Sequence, residues 1–108
     1  MQAKAVAKYV RVSPYKARPV ADLIRGKGAN EALLQLQTTG RKAGFHLGKV
    51  LKSAMANAEL EHGARPESLH VLEVRVDEGP TLKRAKPESK GRRAPILKRS
   101  SHLTVVVG

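Results

Sequence analysis

The sequence predicts an α+β domain with three helices, strands at both ends of the chain, and a long basic β-hairpin between the last two strands. Three observations predict it. Apolar residues recur at helical spacing from residue 13 to about 62, then switch to a period of two from Leu69. The alternation returns in "LTVVV" (103–107). Between these strands lies "TLKRAKPESKGRRAPILKRSSH" (81–102), with eight Lys or Arg and one acid, Glu88. A structureless loop of that length is uncommon inside a compact domain. The flanking strands are therefore expected to continue outward as a ribbon that turns near "PESKG" (87–91).

In chain order, "AKAVAKYVRV" (3–12) reads as a strand. Lys4 and Lys8 share a face with Val6, Val10 and Val12, which suits an edge strand or one that meets a partner. Ser13 is a good N-cap, Pro14 fits the first helical position, and Gly26 or Gly28 can close the first helix. Its apolar stripe is Ala17, Val20 or Ala21, and Ile24; Pro19 predicts a kink, or a first turn held by other contacts. "NEALLQLQTT" (30–39) reads as a short helix capped by Asn30. A longer one spans about 41–62, with Ala43, Leu47, Val50, Leu51, Ala54 and Ala58 as its stripe and Gly63 as its stop. Gly44 and Gly48 within it fit either close packing or simple tolerance. In the next strand, Leu72, Val74 and Val76 are expected on one face and Leu69, Val71, Glu73 and Arg75 on the other. Beyond Gly79, eleven extended residues would project the ribbon roughly 35 Å. It has no core of its own, so it should be ordered by an anionic surface that receives it.

Composition limits the function. A chain of 108 residues is one domain with a modest core. With no Trp, one Phe (Phe45) and two Tyr (Tyr9, Tyr15), that core must come from Ala, Val, Leu and Ile. There is no Cys, hence no disulfide framework. No apolar run approaches a membrane span, and the N-terminus lacks a signal-peptide core, so no membrane partner is expected. The net charge is +12 and it is segregated. Residues 1–28 hold seven basic residues and one acid, residues 29–80 six and seven, and residues 81–108 eight and one. Segregated like charge repels itself, and a polyanion is the economical compensation. Nucleic acid is the expected partner.

No catalytic constellation is legible. His46, His62, His70 and His102 lack metal-ligand spacing, so neither metal nor cofactor is expected. Asp77 and Glu78 precede Gly79-Pro80 and read as a bend at the base of the ribbon rather than an acid–base pair. "GKG" (26–28) lacks a phosphate-loop pattern, and Ser100 and Ser101 beside His102 have no third partner. The expectation is a binding protein, not an enzyme. The ribbon set of Lys83, Arg84, Lys86, Lys90, Arg92, Arg93, Lys98 and Arg99 leads the RNA-contact candidates. Lys16 and Arg18 follow, at a helix N-terminus that itself favours phosphate. Lys42, Lys49 and Lys52 lie along one side of the third helix. The ribbon has no aromatic residue, which favours recognition of folded RNA by backbone and shape over base stacking there.

"SPYKAR" (13–18), "DLIRGK" (22–27), "LKSAMANAE" (51–59), "VDEGPTLKR" (76–84) and "PILKRSSHLTVVV" (95–107) occur in this order. Together they resemble the bacterial-type family of ribosomal protein twenty-two of the large subunit, over nearly the whole chain. The resemblance implies an α+β globule of three helices on a small three-stranded antiparallel sheet, with a long protruding basic β-hairpin. It implies a single domain, with the globule at about 1–79 and 101–108 and the hairpin at about 80–100. It further implies a cytoplasmic monomer within the large ribosomal subunit that binds 23S rRNA during assembly. Neighbouring large-subunit proteins and, at the hairpin tip, the nascent peptide in its exit tunnel would be its other partners. Carried onto this chain, the tip is Lys86, Pro87, Glu88, Ser89, Lys90, Gly91, Arg92, Arg93, Ala94 and Pro95. Ser13, Lys16 and Arg18 match the family's N-terminal RNA-contacting motif, and Arg11, Arg25, Lys27 and His102 join the RNA-binding candidates.

Two other classes compete. A histone-like architectural DNA protein also combines helices with basic β-arms, but would need an apolar dimer core, typically Phe-rich. An RNA-processing enzyme would need paired acid–base residues that the sequence does not offer.

Overall fold

The structure, a computed structural model, describes the backbone of residues 1–87 and 93–108 and the side chains of 1–83 and 97–108. Strand β1 is Ala3–Val10; helices α1, α2 and α3 are Pro14–Ile24, Ala29–Thr38 and Lys42–His62. After a 3-10 turn at Pro66–Ser68 come β2 (Val71–Glu78), β3 (Leu82–Pro87), β4 (Arg93–Lys98) and β5 (Ser101–Val107). Strands β1, β5 and β2 form an antiparallel sheet with β5 in the centre, and β3 pairs with β4 as a separate two-stranded ribbon. The α+β expectation therefore holds, with β1 at an edge.

Helix α3 packs across β1 and β5, and α1 packs against β2. The core between helices and sheet is made of Ala, Val, Leu and Ile. All three aromatic residues lie outside it: Tyr9, Tyr15 and Phe45 are 65%, 82% and 60% exposed. The stripes of α1 and α3 are buried as their spacing predicts, with both Val20 and Ala21 inside. Gly26 (φ 79°) follows the end of α1, and Gly63 (φ 63°) ends α3 with its N–H on the Glu59 carbonyl.

Three local expectations change. The first strand stops at Val10, where the Val12 N–H turns back onto the Val10 carbonyl, and Tyr9, at φ 58°, lies where the register with β5 shifts between Ala7 and Val10. Its core face is Ala3 and Ala5, while Lys4, Val6 and Lys8 point outward. In β2 the register slips between Val71 and Glu73. That bulge turns Leu72 out, 49% exposed, and brings Val71 in beside Val74 and Val76. Gly28, not Asn30, caps α2. Helix α1 runs without interruption through Pro19, which is exposed.

The outer edge of β2 is closed by α1 and the turn after it. Arg25 Nη2 donates to the Val74 carbonyl at 2.7 Å and Arg18 Nη2 to the Val76 carbonyl at 3.4 Å. Gly26 N–H bonds the Val71 carbonyl, and Val71 N–H bonds the Lys27 carbonyl. An open strand edge is thereby satisfied.

The two helical glycines of α3 differ. A Cβ on Gly44 would meet the Leu36 carbonyl oxygen at 2.8 Å and collide with the Thr39 hydroxyl, so α2 approaches α3 through that gap. A Cβ on Gly48 would meet only the Leu33 Cδ1, at 4.0 Å. Gly44→Ala should destabilise the globule by about 1–3 kcal/mol through forced separation of α2 and α3. Gly48→Ala should leave stability unchanged or raise it by up to about 1 kcal/mol through helix propensity. Paired urea titrations check this contrast; equal effects at the two sites would contradict it.

The ribbon accounts for the molecule's shape. The radius of gyration is 16.7 Å and the extents are 62 × 25 × 15 Å, against about 13 Å expected for a compact chain of this size. The main sheet ends at the Glu78–Ser101 pair and the ribbon begins at Leu82–Lys98. Between them, Gly79 N–H bonds the Ser100 carbonyl at 3.0 Å, and the Ser100 hydroxyl bonds the Pro80 carbonyl at 2.8 Å. The turn expected near 87–91 lies, apart from the Pro87 backbone at the end of β3, outside the described residues.

Candidate nucleic-acid interface

Three clefts, one at the base of the ribbon and two on the globule, share lining residues and so form one continuous track. The first, at the base of the ribbon, is lined by Tyr9, Arg11, Pro80, Leu82, Lys98, Arg99 and Ser100. The second includes Arg11, Ser13, Tyr15, Lys16, Arg41 and Lys42. The third, between α2 and α3, includes Leu33, Leu36, Arg41, Lys42, Phe45, Lys49 and Lys52. Arg11 joins the first cleft to the second, and Arg41 and Lys42 join the second to the third. Among the described residues, no carboxylate lines any of the three.

The second cleft is where the N-terminal ends of α1 and α3 meet. Ser13 stands at the N-cap of α1 with its hydroxyl making no capping bond. Its carbonyl accepts from Lys16 and Ala17, each at 3.0 Å. Arg41 is the N-cap of α3, likewise without a side-chain capping bond. Two partial positive helix ends and the cations Arg11, Lys16, Arg41 and Lys42 converge here, an arrangement that favours an anion such as phosphate. Sequence reasoning did not single out Arg41; only its adjacency to a helix start could have flagged it.

In the third cleft, Lys49 Nζ stands 4.5 Å from the Phe45 ring centroid, and the His46 ring meets Phe45 edge-on at 5.6 Å. Burial, then the charges of Lys42 and Lys49, holds His46 below the ordinary imidazole range.

At the ribbon base, the Tyr9 N–H donates to His102 Nδ1 at 3.1 Å, and the two rings meet edge-to-face at 4.9 Å. That bond and ring contact hold the imidazole against Tyr9, which itself lines the first cleft with Arg11 and Arg99. The left-handed Tyr9 had no sequence signal, because the residue is not a glycine and sits in an apparent strand.

The structure sorts the remaining candidates. Arg18 and Arg25 are engaged with β2 carbonyls, and Arg25 also pairs with Asp22. Lys27 donates to the Gln35 side chain. Arg18 and Arg25 thus reach the β2 edge and Lys27 reaches α2, and none of the three lines the track. Lys83, Lys98 and Arg99 are exposed where the ribbon leaves the globule. Arg84, Lys86, Pro87, Arg93, Ala94 and Pro95 have backbone positions in the ribbon, but their side chains lie outside the described residues. Glu88, Ser89, Lys90, Gly91 and Arg92 lie wholly outside them.

The two serines considered for chemistry are hydrogen-bonded within the fold, Ser100 to the Pro80 carbonyl and Ser101 to that of Val12. The buried Ser101 hydroxyl donates to the Val12 carbonyl at 2.6 Å. Asp77 and Glu78 stand opposite His102 and Ser101 at the end of the main sheet. Among the described residues, no three metal-ligating side chains gather, and no helix is long and apolar enough to cross a membrane.

Residues 5–108 match the family model described as "Ribosomal protein L22p/L17e". The chain is similar to the "Large ribosomal subunit protein uL22" of Protochlamydia amoebophila, with 58% identity over 105 residues, covering 97% of this chain and 95% of the relative. The protein of the same name from Rubrobacter xylanophilus is 59% identical over 105 residues, covering 97% and 83%. That from Carboxydothermus hydrogenoformans is 53% identical over 107 residues, covering 99% and 95%.

Proposed function

The chain belongs to the L22p/L17e family of ribosomal proteins, and on that premise we propose that it is a structural protein of the large ribosomal subunit in the cytoplasm, binding 23S rRNA. The single observation that carries this reading is the unbroken positive track from Lys98 and Arg99, through Arg11, Lys16, Arg41 and Lys42, to Lys49 and Lys52. A surface of one sign along the globule, continuous with a basic ribbon, suits a branched polyanion that folds around the protein. Helix N-termini and Lys or Arg take its phosphates, while the ribbon reaches between RNA segments.

The globule, about 1–79 and 101–108, anchors the protein, and the hairpin, about 80–100, enters the RNA. Its tip from Lys86 to Pro95 lines the nascent-peptide exit tunnel. The protein acts as a monomer among neighbouring large-subunit proteins and organises RNA during assembly rather than catalysing a reaction. The family match gives no support to the architectural DNA alternative.

The chain has no cysteine, which makes a site-specific test direct. Ser89→Cys carrying a maleimide-linked photocrosslinker is assembled into large subunits and placed in translating ribosomes. Crosslinks to both 23S rRNA and the nascent chain are expected. Crosslinks to RNA alone would move the tip away from the tunnel, and crosslinks to neither would contradict the reading.

A further inference from the structure

We propose that the basic track on the globule holds an unpaired stretch of RNA, whose bases stack on the rings of Tyr9, Tyr15 and Phe45. This rests on the RNA-binding reading and adds to it a class of RNA element and the platforms that receive it.

The argument starts from a misplacement. A buried aromatic ring contributes more apolar area than any aliphatic side chain of this core, and this chain owns only three. It buries none of them, and builds its core from Ala, Val, Leu and Ile instead. One exposed aromatic side chain is ordinary. Here the three fall one to each cleft of a single track, every cleft lined by cations and by no described carboxylate. A ring beside cations is the arrangement that takes a nucleotide, with the base on the π face and the phosphate on the ammonium or guanidinium.

The α2–α3 groove is the fullest case. Its volume is about 590 Å³, with Leu33, Leu36 and Phe45 as apolar walls and Lys49 and Lys52 at its rim. Gly44 and Gly48 also line it. A protein neighbour filling this groove would have to bring several carboxylates with it. An RNA strand already seated between the α1 and α3 N-termini needs only to continue past the Arg41 and Lys42 that the two clefts share. The ribbon, without aromatic residues, reads backbone and shape; the globule takes splayed bases.

The test compares a single-stranded oligoadenylate with a duplex RNA of the same length. The variants are Tyr15→Ala and Phe45→Ala, both at exposed helix positions, with their folding checked by thermal melts. Each should weaken oligoadenylate binding roughly 5- to 150-fold while leaving duplex binding nearly unchanged. Phe45→Trp should restore affinity, and its Trp, the only one in the chain, should be quenched on binding. Unchanged oligoadenylate affinity in both Ala variants would overturn the proposal. If those variants also leave the salt-washed large subunit, the rings face a protein neighbour instead. If the parent chain binds neither these RNAs nor a 23S transcript, the RNA reading itself fails and the stacking proposal falls with it.

Discussion

Raising the salt from 50 to 200 mM lowers the affinity of this protein for a 23S rRNA transcript by about 10³–10⁵-fold. The expectation follows from where the cations stand. Eight Lys or Arg lie between residues 83 and 99, and a second set lines the track on the globule. Each phosphate neutralised releases condensed counterions, so the slope of log affinity against log salt counts the contacts. The proposed stacking on the three rings would add affinity without adding to that slope. Filter binding at several salt concentrations measures it. A flat profile would mean that the positive surface does not face phosphate, and would remove the basis for every cationic contact named above.

Deleting residues 83–99 leaves the globule folded and cuts that slope by up to about 7, if each of the eight cations reaches a phosphate. The hydrophobic core includes no residue from Pro80–Lys83 or Leu97–Ser100 among those described. The Gly79–Ser100 hydrogen bond survives the deletion. Joining Leu82 to Ser100 leaves only Pro80, Thr81 and Leu82 between its ends, a length suited to a tight hairpin. Removing a net charge of seven also removes self-repulsion. Stability should therefore change by less than about 1 kcal/mol, while affinity for RNA falls by orders of magnitude. Loss of the cooperative thermal transition would show that the ribbon is part of the folding unit.

The features that were legible in the sequence are those set by local chemistry. The α3 stripe, the Gly63 stop, the Ser13-Pro14 helix start and the ribbon between the last two strands are all in place. The features that were not legible depend on partners distant in sequence. Leu72 reads as sharing a face with Val74 and Val76 until the register slip against β5 turns it outward. Arg18 and Arg25 read as free cations until α1 lies along the β2 edge and their guanidinium groups meet the carbonyls of Val76 and Val74. Gly44 and Gly48 look alike in sequence, and only the approach of α2 separates them. The interface was legible as charge and not as shape. Lys16, Lys42, Lys49 and Lys52 could be named one by one. That Arg11, Arg41 and Lys42 stitch three clefts into one track, with a ring in each, depends on the packing of α1 against α3.

Sedimentation of the tagged protein through a sucrose gradient, after a high-salt wash of the ribosomes, tests the central claim most directly. The full chain should remain in the large-subunit peak, while the chain lacking residues 83–99 should move to the top of the gradient. Release of the full chain to the top under the same wash would contradict an integral place in the large subunit.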